Sequence, residues 1–134
     1  MPQDIVDEEQ IERGEPAVRT LAMQADTNPS GDIFGGWVLA QMDLAAGIVA
    51  AQRAQGRVAT VALDGLSFHL PVYVGDLVSC HARVIRIGRT SMTIKVDTYV
   101  IRSRTMDEVK VTEGHFTVVA IDGEGRPRPV PDLG

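Results

Sequence analysis

One segment limits the architecture more than any other. After Gly36 the chain runs Trp37, Val38, Leu39, Ala40, Gln41, Met42, Asp43, Leu44, Ala45, Ala46, Gly47, Ile48, Val49, Ala50 and Ala51. The pattern predicts a helix from near Gly35 or Gly36 to about Gln55, with Gly56 as its stop. It is the one convincing helix the sequence offers. On a wheel at about 100° per residue, Gln41 and Gln52 fall within about 20° of each other and Gln55 lies about 40° to the other side. That polar stripe is narrow. A helix apolar over the rest of its circumference has to be wrapped rather than laid on a surface.

The material for wrapping is β. "AVRTLAM" (17–23) predicts a short strand before the helix, and "QADTNPSGD" a loop, since Asn28 precedes a proline and Ser30-Gly31-Asp32 is turn chemistry. After the helix, 57–70 is rich in β-formers and interrupted by Gly65. Residues 76–87 alternate, with Val78, Cys80, Ala82 and Val84 on one face and Ser79, His81 and Arg83 on the other. "GRTS" turns the chain into 92–102, and 108–121 is a further strand before a turn and a proline-rich end. The expectation is an α+β fold, a mainly antiparallel curved sheet around one central helix. Its open sheet edges would need covering, which argues for an oligomer. Residues 1–16 read as a mobile polar tail, 17–131 as a single domain and 132–134 as a short tail; 134 residues suit one core.

Charge and cysteine usage narrow the function classes. A net charge of −5 with no Lys/Arg cluster argues against a nucleic-acid surface. No uncharged apolar run approaches the ~18 residues of a membrane span. The acidic start lacks a basic segment followed by an apolar one, so it does not read as a secretory signal. A single cysteine, Cys80, excludes an internal disulfide framework. These features together predict a cytoplasmic protein.

Asp43 is the anomaly in the helix. It lies about 200° from Gln41 on the wheel, opposite the polar stripe. Its neighbours three, four and seven residues away are Gly36, Leu39, Ala40, Ala46, Gly47 and Ala50, all small or apolar. A carboxylate is costly there without a partner. Either it pairs with a buried Arg or caps another element, or the small neighbours around it define a pocket for chemistry. "GDIFGGW" supports the pocket: two glycines at the helix start offer free N–H groups and the positive end of the dipole to a developing oxyanion, and let a substrate approach closely. The two groups are about 10 Å apart along one helix, too far to serve one carbonyl easily. Two subunits with antiparallel helices would solve that problem.

Other signals are weaker. The glycines of "GDIFGGW" are spaced like those of a phosphate loop, but Trp37 stands where the lysine is required. His69, His81 and His115 lie on three strands without ligand spacing, and no metal is expected. Cys80 alternates with apolar residues and reads as core. There is no Gly-x-Ser-x-Gly elbow. "RIGRTS" (86–91) puts two arginines and two hydroxyls at a hairpin tip, which is either a solvated turn or a phosphate site.

"TLAMQADTNPSGDIFGGWVLAQMDLAAGIVAA", "FHLPVYVGD", "GRTS" and "EGHFTVVAID" together resemble the YciA-type acyl-CoA thioesterases of the hotdog-fold superfamily, over roughly residues 18–131. The resemblance implies a hotdog fold, a dimer with a continuous sheet that often assembles as a trimer of dimers, and hydrolysis of acyl-CoA to free acid and coenzyme A without a cofactor. It matches the family's acid to Asp43, its loop asparagine to Asn28, and its oxyanion donor to the Gly36 N–H or one close to it. In the family the asparagine and the acid of one site come from opposite subunits. Coenzyme A contacts match Gly88, Arg89, Thr90 and Ser91. One position departs: many relatives carry Arg or Lys before the proline of "PVYVGD", and here it is Leu70, preceded by His69. Arg57, Arg83 or Arg89 would have to replace that cation. Two rivals are a non-catalytic acyl-CoA-binding sensor, which usually carries a DNA-binding domain, and a hotdog dehydratase, which normally has a histidine near the helix. The helix contains none.

Overall fold

The computed structural model describes residues 13–133; most of the expected N-terminal tail, residues 1–12, and Gly134 lie outside the described residues. The chain forms β1 (Val18–Leu21), a single 3-10 turn (Gln24–Asp26), α1 (Gly35–Ala54), β2 (Val58–Phe68), β3 (Leu77–Ile87), β4 (Ser91–Ile101) and β5 (Glu108–Ala120). The strands make one sheet in the order β1-β3-β4-β5-β2, with every neighbouring pair antiparallel. The α+β hotdog architecture expected from the sequence is what forms: one long helix against one antiparallel sheet.

The helix sits on the sheet through small side chains. Val38, Met42, Ala45, Ala46, Ala50 and Ala54 are buried. They face Val78, Cys80, Met92, Ile94, Val96, Val111, Phe116 and Val118 in one apolar core. The alanines bring the helix backbone close to the sheet, and the larger strand residues fill the remaining space.

The wrapping differs from the expectation in extent. Leu44 is 57% and Ile48 42% exposed, and Val61 on the edge strand β2 is 59% exposed. The reason is geometric. Four inter-strand gaps of about 4.8 Å make a sheet about 19 Å across, whereas a full circuit of a helix at a packing distance of about 10 Å runs about 60 Å. One chain therefore covers one flank of α1. Among the described residues nothing covers an apolar arc beside β2.

Helix termination also differs in detail. Gln55, not Gly56, takes the left-handed conformation (φ 55°). Gly56 instead leaves room for a side chain: a Cβ there would lie 2.6 Å from Arg128 Nη2, which would have to shift. That guanidinium donates to the Ala54 carbonyl at 2.8 Å, so a cation caps the negative end of the helix. The proline-rich end is tied in further by Val130 N–H to the Arg89 carbonyl and by Arg53 to the Pro131 carbonyl.

The sheet face turned away from the helix is not simply polar and wet. Ser79 and His81, expected opposite the core face, are both buried. Arg19 covers Ser79, donating to its hydroxyl at 2.8 Å. Arg13 clasps His81, its carbonyl 3.0 Å from Nδ1 and its Nε–H donating to Nε2 at 3.3 Å.

Candidate active site

Asp43 occupies the border between the buried face of α1 and the open arc. No arginine pairs with it among the described residues. Its Oδ1 accepts a hydrogen bond from the Thr60 hydroxyl of β2 at 2.7 Å. No described group bonds Oδ2. The two side chains stand where two clefts meet. One, of about 410 Å³, is lined by Gly36, Leu39, Ala40, Asp43, Thr60, Leu63 and Phe116. The second, of about 560 Å³, continues along the open arc past Leu44, Gly47, Ile48, Ala51 and Val58. A largely apolar groove thus holds one carboxylate and one hydroxyl.

The helix start opens into the same groove. Phe34 takes the N-cap position without a side-chain cap, and its carbonyl accepts the Trp37 and Val38 N–H groups. The N–H of Gly36 has no acceptor among the described residues. A Cβ at Gly36 would meet nothing within 4 Å, so the glycine is not demanded by packing in this chain; it leaves space on the groove side. Asp43 and Gly36 of one chain line the same cleft, two turns apart on the helix, about 10 Å along its axis.

Asn28 is placed differently. Its side-chain oxygen accepts the N–H groups of Ser30 (2.9 Å) and Asp32 (3.1 Å), so it organises the loop before α1. It does not line the groove that holds Asp43 within the same chain. The hairpin tip is well braced. Gly88 N–H donates to the Ser91 carbonyl at 2.7 Å, and Ala120 N–H to the Thr90 carbonyl at 2.9 Å.

The structure separates the three candidate cations. Arg57 reaches the Asp122 and Gly123 carbonyls, and Arg83 pairs with Asp97 at 3.2 Å. The Arg89 side chain is exposed and has no partner among the described residues. His69 pairs with Glu113 at 2.9 Å. That hydrogen bond, followed by the Lys110 and Lys95 ammoniums, holds the Glu113 carboxyl down at about 2 against the opposing effect of burial. Burial pushes the Cys80 thiol up to about 11, which makes it a poor nucleophile. Among the described residues no three His, Cys, Asp or Glu side chains gather in a way that could hold a metal ion.

Thr60, Leu63 and Phe116 are groove residues that the sequence does not single out. Strict alternation along β2 from Val58 would turn Ala62 and Asp64 toward the helix. The register with β5 instead gains one residue between Thr60 and Ala62 and another between Asp64 and Ser67. Leu63 and Leu66 then pack on the core and Asp64 is left exposed. The Gly65 interruption is the visible trace of this, with φ at 59°.

Comparisons with known proteins bear on the family and the fold. A family model described as Thioesterase superfamily matches residues 30–105. The acyl-CoA thioester hydrolase YciA of Salmonella typhimurium is 47% identical over 125 residues, 91% of this chain and 94% of that protein. The solved hexameric thioesterase y2039 of Yersinia pestis is 50% identical, with a TM-score of 0.84 over 89% of this chain and 97% of that one. HI0827, described as a hexameric broad-specificity acyl-coenzyme A thioesterase, is 43% identical with a TM-score of 0.85, over 90% of this chain and 84% of that one. With its helix, its five-stranded antiparallel sheet and these relatives over nearly its whole described length, the chain belongs to the thioesterase superfamily, among the YciA-type acyl-CoA thioester hydrolases of the hotdog fold.

Proposed function

We propose that this chain hydrolyses acyl-CoA thioesters in the groove between the start of α1 and β2, with Asp43 as the reacting carboxylate. The observation that carries the reading is an apolar groove at whose border Asp43 keeps one carboxylate oxygen that no described group bonds. Asp43 takes a proton from a water as that water attacks the thioester carbon, or attacks the carbon itself to give a mixed anhydride that water then opens. The carbonyl oxygen gains negative charge in either case, and the Gly36 N–H at the positive end of a second copy's antiparallel helix stabilises it, since the two groups of one helix stand about 10 Å apart. The C–S bond breaks, the thiol of coenzyme A leaves with a proton, and the acyl group leaves as the free acid. Leu39, Ala40, Leu63 and Phe116 suit an acyl chain. The reaction calls for no cofactor beyond the coenzyme A of the substrate.

The active unit is a homodimer, further assembled as a trimer of dimers, in the cytoplasm. Support for the dimer comes from the open apolar arc, which runs from Asp43 to the unpaired edge of β2. Pairing there with a second copy would cover the arc and bring the partner's loop asparagine toward Asp43. The nucleotide of coenzyme A lies at the hairpin tip, on Gly88, Arg89, Thr90 and Ser91, where Arg89 supplies the cation missing at Leu70.

The test is thiol release over a panel of acyl-CoA esters. The expected result is turnover of at least one ester and a kcat for Asp43→Ala lower by at least ~10², the range set by losing acid–base catalysis. Undiminished turnover by folded Asp43→Ala protein rejects the assignment.

A further inference from the structure

His81 lies on the sheet face turned away from α1 and takes no part in the reaction proposed above. It is 5% exposed, and a single residue, Arg13, meets both of its ring nitrogens. Nδ1 stands 3.0 Å from the Arg13 carbonyl, and the Arg13 Nε–H donates to Nε2 at 3.3 Å. A carbonyl only accepts and a guanidinium only donates. The two bonds therefore coexist in one state of the ring, the neutral imidazole with its proton on Nδ1. The Arg13 guanidinium also lies over the Tyr99 ring, 3.7 Å from its centroid, and pairs with Glu108. Tyr99 in turn meets the imidazole edge to face. These contacts hold the start of the described chain down on the sheet.

The charges around His81 favour the neutral ring. Arg19 of β1 reaches over Ser79, on the same face of β3, and shares with Arg13, Glu15 and His81 the lining of one cleft. Arg83, the next residue of β3 on that face, is paired with Asp97. Asp97 stands opposite His81 in the β3–β4 ladder, and Lys95 and Lys110 face it as well. From β5, Glu108 is engaged by Arg13, and Lys110 reaches Glu113 besides Asp97. Burial, joined by the positive charges of Arg13 and Arg19, holds the imidazole below its ordinary 6.5, although the Arg13 and Gly14 carbonyls favour the charged form. A second proton would sit on Nε2 and point at the Arg13 Nε–H. Donor would then face donor and cation face cation, so the guanidinium has to leave the ring.

We infer that Arg13 and His81 form a proton-operated clasp, which fastens residues 13–16 to the outer face of the sheet at neutral pH and releases them in mild acid. The loosening stops at Ala17, whose N–H donates to the Cys80 carbonyl at 2.9 Å where the β1–β3 ladder begins. The groove that holds Asp43 lies on the helix side of the sheet and is untouched. The sign follows from linkage. The unfolded chain takes up the proton at the ordinary histidine value and the folded chain only below it. The clasp therefore contributes its full stability above about pH 6.5 and loses it as the pH falls from there.

Cys80 is buried, so a cysteine introduced at the exposed Glu15 takes up a nitroxide selectively. The experiment labels Glu15→Cys in the full chain and reads the mobility of the nitroxide by electron paramagnetic resonance from about pH 8 to about pH 5, the range in which histidine titrates. It is run on the labelled parent and with His81→Asn or Arg13→Leu added; circular dichroism confirms that each is folded. The asparagine amide keeps a donor for the Arg13 carbonyl and does not titrate. In the labelled parent the mobile fraction should rise at least about threefold on acidification, with its midpoint below 6.5. In His81→Asn it should change less than about 1.5-fold over the same range, because no group at position 81 gains a proton. In Arg13→Leu the label should be mobile at every pH. Constant mobility in the labelled parent, a transition that persists in His81→Asn, or a label as restrained in Arg13→Leu as in the parent at about pH 8 would each overturn the inference. If His81→Asn does not fold, His81→Gln, whose amide oxygen can accept from the guanidinium, makes the same decision.

Discussion

Asp43 and Asp97 lie on opposite sides of the sheet-and-helix sandwich and have opposite surroundings. Asp97, on the sheet face away from the helix, is 2% exposed. Arg83 reaches its Oδ2 at 3.2 Å, and Lys110 and Lys95 reach its Oδ1 at 3.0 and 3.6 Å. The same lysines extend to Glu113, and Glu113 to His69. Burial works to lower the Lys110 ammonium, but Asp97 and then Glu113 outweigh it and raise it. Among the described residues Asp43 has one hydroxyl, an open groove and no cation. The difference separates two uses of an acid. A carboxylate buried among cations is closed off from a substrate, and its role is to hold three strands in register. An acid with one oxygen held and the other open has been left room to react.

The largest expected effect tests that contrast by removing each acid. Asp97→Ala leaves several cations facing an emptied, largely dry position. Breaking a buried pair this way costs about 3–5 kcal/mol. The protein that remains folded should keep its kcat. Asp43→Ala should do the reverse, losing kcat at least ~10² while its denaturation midpoint barely moves. Denaturant unfolding and thiol release on the same samples check both. If Asp97→Ala abolished turnover without loss of stability, the division between structural and reacting acid would collapse.

Much of this was legible in the sequence, and what was not has identifiable causes. The element order, the helix bounds and the place of Asp43 opposite the glutamine stripe follow from a 3.6-residue period, which needs only local information. The open arc was not legible, because a wheel shows which face is apolar and not how far a sheet reaches around it. Thr60 was hidden by two one-residue register shifts in β2, which depend on pairing with a strand some fifty residues away. The buried outer face was missed for a similar reason. Ser79, His81 and Asp97 look solvent-facing by alternation, and become buried because Arg13, Arg19 and long lysine stems lie over them.

The second test concerns the open side of the comparison. If the arc beside Asp43 is closed by a second copy, one site takes Asp43 from one chain and Asn28 from the other. Asn28→Ala and Asp43→Ala homodimers should each be nearly inactive. Mixed and allowed to exchange, half the dimers would be hybrids, and one of the two sites in each hybrid would carry both residues. About a quarter of the parent activity should return. No recovery after exchange has been verified by mass would place both residues in the same chain's site and leave the groove without a partner.

The smallest effect separates two arginines as the first test separates two aspartates. Arg83 is committed to Asp97, and Arg89 at the hairpin has no described partner although Val130 pins its backbone carbonyl. If Arg89 binds a coenzyme A phosphate, Arg89→Ala should raise KM for acyl-CoA about three- to tenfold and leave kcat nearly unchanged, because a contact remote from the thioester holds ground and transition states alike. The effect should vanish for an acyl-pantetheine thioester, which lacks the nucleotide. It should shrink as salt rises, since an exposed ion pair is screened beyond a Debye length of about 10 Å at 0.1 M. Arg83→Ala should behave oppositely, lowering stability with KM unmoved, because its charge is already neutralised by a buried partner. Equal losses on acyl-CoA and acyl-pantetheine in Arg89→Ala would mean that the hairpin braces the fold, and the phosphate cation would then have to be Arg57 released from the Asp122 and Gly123 carbonyls.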